Sequence, residues 1–153
     1  MHTFELHRGT QPLLVSLPHN GSEIPGDILA LLKPFARSAP DTDWSVDRLY
    51  GFAEDLGASI LKPRYSRYVI DLNRPPDDVS LYPGQNTTGL CPTVRFSGDP
   101  VYLPEATPTP DDIAVRIDTY WRPYHAALRD ELDRLRAAHD RVLLWEGHSI
   151  RGE

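Results

Sequence analysis

A chain of 153 residues, 25% charged and 40% hydrophobic, suits one domain that buries roughly 70% of the surface its unfolded form exposes. Its formal net charge is -6, and the basic residues are scattered arginines with Lys33 and Lys62 as the lysines, so there is no concentrated basic face of the kind nucleic acid requires. No apolar stretch approaches the ~20 residues of a membrane helix. Cys91 is the single cysteine, which rules out an internal disulfide, and the first residues lack the basic and long apolar segments of a secretory signal. These features predict a soluble cytoplasmic protein whose partner is a small molecule rather than nucleic acid or membrane. An arginine inside a pocket can still select an anionic small molecule.

In chain order, residues 13–17 (LLVSL) form a short continuous apolar run flanked by prolines, which predicts a strand buried on both faces. His19 then sits on the loop at the strand's carboxyl end, where ligands bind in open α/β sheets, with Glu23 close by. Ile28, Leu29 and Leu32 share one face of a short helix over 24–33, ended by Pro34. Asp41, Thr42 and Asp43 supply acceptors and negative charge for the start of the next helix, which carries Val46, Leu49, Ala53 and Leu56 and ends at Gly57. Residues 59–61 and 67–71 (RYVID) read as strands, the second leading into Asn73, Arg74 and two prolines.

Residues 75–110 are rich in proline and glycine but also hold Tyr82, Phe96 and Tyr102, which favours an ordered lid or binding loop over a disordered linker. Thr109, Pro110, Asp111 and Asp112 start the longest helix. Its apolar stripe runs from Ile113 to Leu135, with a kink at Pro123. A last buried strand over 142–145 ends at Glu146, Gly147 and His148. Strands separated by helices imply a largely parallel sheet with helices packed on it, an α/β fold in a single domain over 1–153.

Two strands that each deliver a histidine to one sheet edge suggest a metal site, because catalytic zinc takes three protein ligands, commonly two histidines and a carboxylate. His19, Glu23 and His148 meet that count, and Asp43 or Asp47 are alternatives to Glu23. Glu146 is placed to hold the His148 imidazole, or is a solvated strand end. Asn73 and Arg74 have the chemistry to bind a carboxylate, or form a turn in which arginine pairs with Asp71. His125 reads as a packing residue of the long helix. The sequence has no GxSxG turn, glycine-rich phosphate loop or CxxC pair, which argues against serine hydrolases, nucleotide enzymes and zinc ribbons.

The motifs PHNGSEIP at 18–25, DTDWSVDRLY at 41–50, SRYVIDLNRPP at 66–76, NTTGLCPT at 86–93, YWRPYH at 120–125 and WEGHSI at 145–150 together resemble the N-formylglutamate amidohydrolase family. The resemblance implies an α/β fold with a largely parallel mixed sheet, like the phosphorylase/hydrolase-like fold of zinc carboxypeptidases. It implies one Zn2+ ion and hydrolysis of N-formyl-L-glutamate to L-glutamate and formate in histidine degradation. The implied metal ligands fall on His19, Glu23 and His148, with Asp47 as a further candidate. Arg67, Asn73 and Arg74 would bind the substrate carboxylate, and Glu146 is the in-chain candidate for general base.

Family members are longer, and the carboxyl-terminal portion they carry is expected to be missing here, leaving an unpaired sheet edge that favours a homo-oligomer. Two rival expectations follow. One is a relative that binds metal or an acidic ligand without turnover. The other is a zinc amidohydrolase for a different N-acyl amino acid.

Overall fold

The computed structural model describes residues 2–79, 88–95 and 97–150. Four strands form one sheet: β1 (Phe4–His7), β2 (Leu13–Ser16), β3 (Ser59–Pro63) and β4 (Leu143–Glu146). Their order is β1-β3-β2-β4. β2 runs parallel to both β3 and β4, and β1 is antiparallel to β3. The fold is therefore α/β with a largely parallel mixed sheet, as the pattern of apolar runs predicts. β2 is central, and its side chains enter apolar layers on both faces, the situation in which a strand reads as a continuous hydrophobic run. β1, with its short FELH alternation, has no counterpart among the predicted strands.

The helices are α1 (Gly26–Leu31), α2 (Val46–Leu49), α3 (Phe52–Asp55), α4 (Pro110–Arg116) and α5 (Arg122–Ala138). On one sheet face Leu14 and Leu61 pack with Tyr124 and Leu135, supported by Leu128 and Leu132. On the other, Val15 and Leu17 pack with Val46, Ala53 and Ala58. Period-two alternation sends adjacent residues of β2 into opposite layers. Ser16 follows Leu14 toward α5 and meets the Tyr124 hydroxyl at 2.9 Å.

Three predicted elements differ. The helix expected after Asp43 is two separate turns, α2 and α3. Val46 and Ala53 are its buried apolar residues while Leu49 and Leu56 are 66% and 63% exposed, so a single long apolar face has nothing to pack on. Gly57 ends α3 at φ +80, as expected. Residues 67–71 are a buried turn, not a strand. Their polar backbone groups are met by Leu90 O on Asp71 N (2.7 Å), Ser66 O on Val69 N (2.9 Å) and Arg116 Nη1 on Val69 O (3.1 Å), and His125 Nε2 meets the next carbonyl, Leu72 O (3.0 Å), so no neighbouring strand is needed.

The kink expected at Pro123 is a wider π turn over Ile117–Trp121 between α4 and α5, with Arg122 N bonded to Ile117 O. Proline lacks the N–H and crowds the preceding turn, and the extra residue absorbs that conflict. α4 begins with a full capping box between Thr109 and Asp112.

Tyr82 and Phe96 of the 75–110 segment lie outside the described residues. Tyr102 is buried with Val101, Leu32, Ala36 and Tyr68. No helix among the described residues is long and apolar enough to cross a membrane.

Candidate metal centre and substrate cleft

The parallel strands β2 and β4 end side by side, with Ser16 in register with Glu146. The loops that continue them therefore start from one place, and they bring His19 and His148 together with ring centroids 5.1 Å apart. The third member is Asp43. Its N–H donates to His19 O at 2.9 Å, which fixes its segment beside the first loop, and its carboxylate is oriented by Ser149 N at 3.2 Å and Ser149 Oγ at 2.8 Å. Asp43 Oδ2 lies 3.8 Å from His19 Nδ1 and 3.6 Å from His148 Nδ1.

These three side chains form a group whose ligand atoms lie within 4.8 Å of one another. Donors held ~2.0–2.1 Å from a tetrahedral zinc ion stand roughly 3.4 Å apart. The two histidines and one carboxylate thus fit such an ion in both chemistry and spacing.

His19 is also held from behind. Its Nε2 meets Asp71 Oδ1 at 2.6 Å, while Asp71 Oδ2 accepts from Arg67 Nη2 at 2.6 Å and Asp71 Oδ1 from Asn73 N at 2.9 Å. A carboxylate accepting at Nε2 places the proton there and leaves the Nδ1 lone pair for a metal. Asp71 is fully buried. Burial alone would raise its pKa, but the bond from His19 and the charges of His19 and Arg67 outweigh that and hold it far below the usual carboxylate range.

The same competition lowers Asp43, where burial opposes the bonds from His148 and Ser149. Asp43 and then Glu146 raise His148 to about 9 against the effect of burial. A cation taking the His148 lone pair displaces that proton. Glu146 Oε2 is 3.9 Å from His148 Nε2, too long for a hydrogen bond, but near enough for the imidazole to hold Glu146 below its ordinary value.

Two of the expected ligands stand elsewhere. Glu23 pairs with Arg64 at 2.8 Å on the surface, its side chain 53% exposed, because Glu23 N bonds Arg64 O and ties that stretch to the segment after β3. Asp47 accepts from Asn20 Nδ2 at 3.3 Å and lines a different surface hollow with Lys62 and Glu5. Asp43, which its sequence neighbours present as a helix start, takes the carboxylate place.

The cluster opens on a cleft of about 730 Å3 lined by His19, Asp41, Asp43, Arg67, Asn73, Arg74, Arg95 and His148 among others. Arg74 Nε and Nη1 donate to Thr88 O and Asn73 O, both at 3.0 Å, and Trp121 Nε1 donates to Arg74 O at 2.8 Å. The π turn and His125, stacked on Trp121 at 3.9 Å, therefore clamp the 71–74 turn from below. Arg95, absent from the expected site residues, reaches the cleft wall from the loop region. Three arginines thus stand in the wall of one cleft, Arg67 paired with Asp71 and Arg95 with Asp41.

A sequence model of the N-formylglutamate amidohydrolase family matches residues 11–153. The chain is 49% identical over 145 residues to N-formylglutamate deformylase of Pseudomonas putida and 47% identical over 144 residues to that of Pseudomonas aeruginosa. These matches cover 95% and 94% of the chain but 54% of each relative, so the chain spans about half the length of the curated relatives it matches. The crystal structure of N-formylglutamate amidohydrolase from Ralstonia eutropha superposes with a TM-score of 0.83 at 26% identity, over 98% of this chain and 59% of that one.

Proposed function

Since the chain belongs to the N-formylglutamate amidohydrolase family, we propose that it carries the zinc-binding and substrate-binding part of a site that hydrolyses N-formyl-L-glutamate to L-glutamate and formate. The observation that supports this reading best is the convergence of His19 Nδ1, His148 Nδ1 and Asp43 Oδ2 at the mouth of an arginine-lined cleft. When bound there, a zinc ion would supply Lewis acidity toward the formyl oxygen and acidify water.

The chain's own residues divide the remaining work. Asp71 keeps the His19 proton on Nε2. Arg67, Asn73 and Arg74 hold a substrate carboxylate, the guanidinium groups offering paired N–H donors. Glu146, a carboxylate that His148 holds below its ordinary value, takes the proton of the attacking water and passes it to the departing amine nitrogen as the C–N bond breaks. We further propose that the reaction serves histidine degradation in the cytoplasm.

The test is formate release from N-formyl-, N-acetyl- and N-succinyl-L-glutamate by zinc-loaded and zinc-free protein. Preference for the formyl compound and dependence on zinc support the reading; equal rates with and without zinc contradict it. A second reading is a domain that holds zinc and an acidic ligand without turnover. Tight zinc binding with no formate from any of the three compounds would support that one.

A further inference from the structure

We propose that Arg95 determines specificity for the acidic side chain of the substrate, holding the carboxylate that lies farther from the scissile amide. The proposal rests on the deformylase reading above and deepens it.

A dicarboxylate bound in the cleft needs two cationic partners. Arg67 is tied to Asp71 and Thr88, and Arg74 to two backbone carbonyls; together they frame one end. Arg95 is held differently. Among the described residues its guanidinium makes one hydrogen bond, Nη2 to Asp41 Oδ1 at 3.3 Å, and its Nε is buried without an acceptor. A guanidinium offers five N–H donors, and a buried donor left unpaired calls for an explanation. Here it marks a fork that is oriented but not saturated.

The orientation comes from Asp41. Its other oxygen accepts the Tyr68 hydroxyl at 2.7 Å, and Tyr68 is 1% exposed, so the anchor is fixed. The Phe35 ring lies 5.4 Å from the guanidinium carbon and limits that flank. A tight turn in which Arg95 N donates to Asp99 O and Gly98, at φ +87, returns its N–H to Arg95 O sets the backbone.

Asp41 is two residues before Asp43. One short segment thus carries both the carboxylate of the metal cluster and the anchor of Arg95, which fixes the spacing between the reacting end of a substrate and its acidic side chain. A carboxylate matches the fork with two parallel N–H···O bonds; a neutral carboxamide brings donors of its own and cannot.

Zinc-loaded wild type, Arg95→Gln and Arg95→Lys should be compared on N-formyl-L-glutamate and N-formyl-L-glutamine. The expected result is a KM for the glutamate compound raised about 10- to 100-fold in Arg95→Gln with kcat little changed, and little effect on the glutamine compound. Arg95→Lys, which keeps the charge but not the fork, should fall between and carries the test if Arg95→Gln does not fold. Equal losses on both substrates would overturn the proposal and leave the deformylase reading standing. If the wild type hydrolyses neither, that reading fails, and calorimetry with L-glutamate and L-glutamine decides the role of Arg95. A glutamate preference abolished in Arg95→Gln supports it; a preference retained, or absent in the wild type, overturns it.

Discussion

Replacing Asp71 with asparagine keeps the shape of a fully buried side chain and removes its charge. In the native site two oxygens serve three donors: His19 Nε2 at 2.6 Å, Arg67 Nη2 at 2.6 Å and Asn73 N at 2.9 Å. In Asp71→Asn the remaining oxygen can face His19 and Asn73 N, which turns the amide NH2 toward Arg67, donor against donor. Removing one partner of a buried pair costs ~3–5 kcal/mol; Arg67 keeps its bond to Thr88, so a loss of about 3 kcal/mol is expected in urea unfolding of the metal-free protein. The second readout is zinc affinity by competition with a chromophoric chelator. A weaker acceptor on Nε2 makes Nδ1 a poorer ligand, and a loss of about 10- to 100-fold is expected. A stability loss with zinc affinity unchanged within about threefold would refute the argument that Asp71 orients His19 and would make it a framework residue alone.

Glu131 is fully buried on α5, accepting from Ser59 Oγ and Arg134 and 3.4 Å from Arg8 Nε. Burial pushes its pKa up, but the bonds from Arg134 and Ser59 win and the net shift is downward. The stability it contributes is thus fully present above its ordinary value of 4.5 and lost as pH falls through the lowered one. Glu131→Gln should cost about 1–3 kcal/mol at neutral pH and flatten the fall in stability below pH ~4.5; unfolding curves from pH 3 to 7 that parallel those of the wild type would contradict this. At Gly21 an added Cβ would stand 2.2 Å from Tyr65 O, so Gly21→Ala must move the loop that carries His19. It should lose about 1–3 kcal/mol together with zinc affinity, and a thermal melt matching the wild type would exclude that steric argument. β4 pairs with β2 on one side and shows Leu143, Leu144 and Trp145 at 56%, 38% and 49% exposure. An apolar strand at a sheet edge templates further pairing, so sedimentation velocity should show concentration-dependent self-association that Leu144→Lys reduces; a monomer at all concentrations would remove that expectation.

Much of the sheet was legible because β2 and β4 are short apolar runs broken by proline, glycine and charge; burial on two faces imposes that pattern on β2, whereas β4, expected to be equally buried, is an edge strand whose residues are exposed. The same logic misled at 67–71. Tyr68, Val69 and Ile70 are indeed buried, but Ser66, Tyr102 and Arg116 meet the backbone groups of Tyr68 and Val69, and sequence periodicity cannot distinguish that from a strand ladder. At the candidate metal site the two histidines follow from strand ends, whereas the carboxylate that joins them depends on the bond from Asp43 N to His19 O, a contact between distant segments. Glu23 is nearer to His19 in sequence yet is drawn to Arg64. Arg95 carried no local signal, since its place in the cleft wall comes from the fold of a proline-rich segment and from Asp41 some fifty residues earlier.

The experiment to perform first is formate release from N-formyl-L-glutamate by the purified, zinc-loaded chain, with His148→Ala and Asp43→Asn alongside. Hydrolysis in the wild type that both substitutions abolish, together with zinc affinity reduced in each, is the expected result. Hydrolysis that survives both substitutions, or zinc affinity indifferent to them, would contradict the assignment of His19, Asp43 and His148 as the centre of the site.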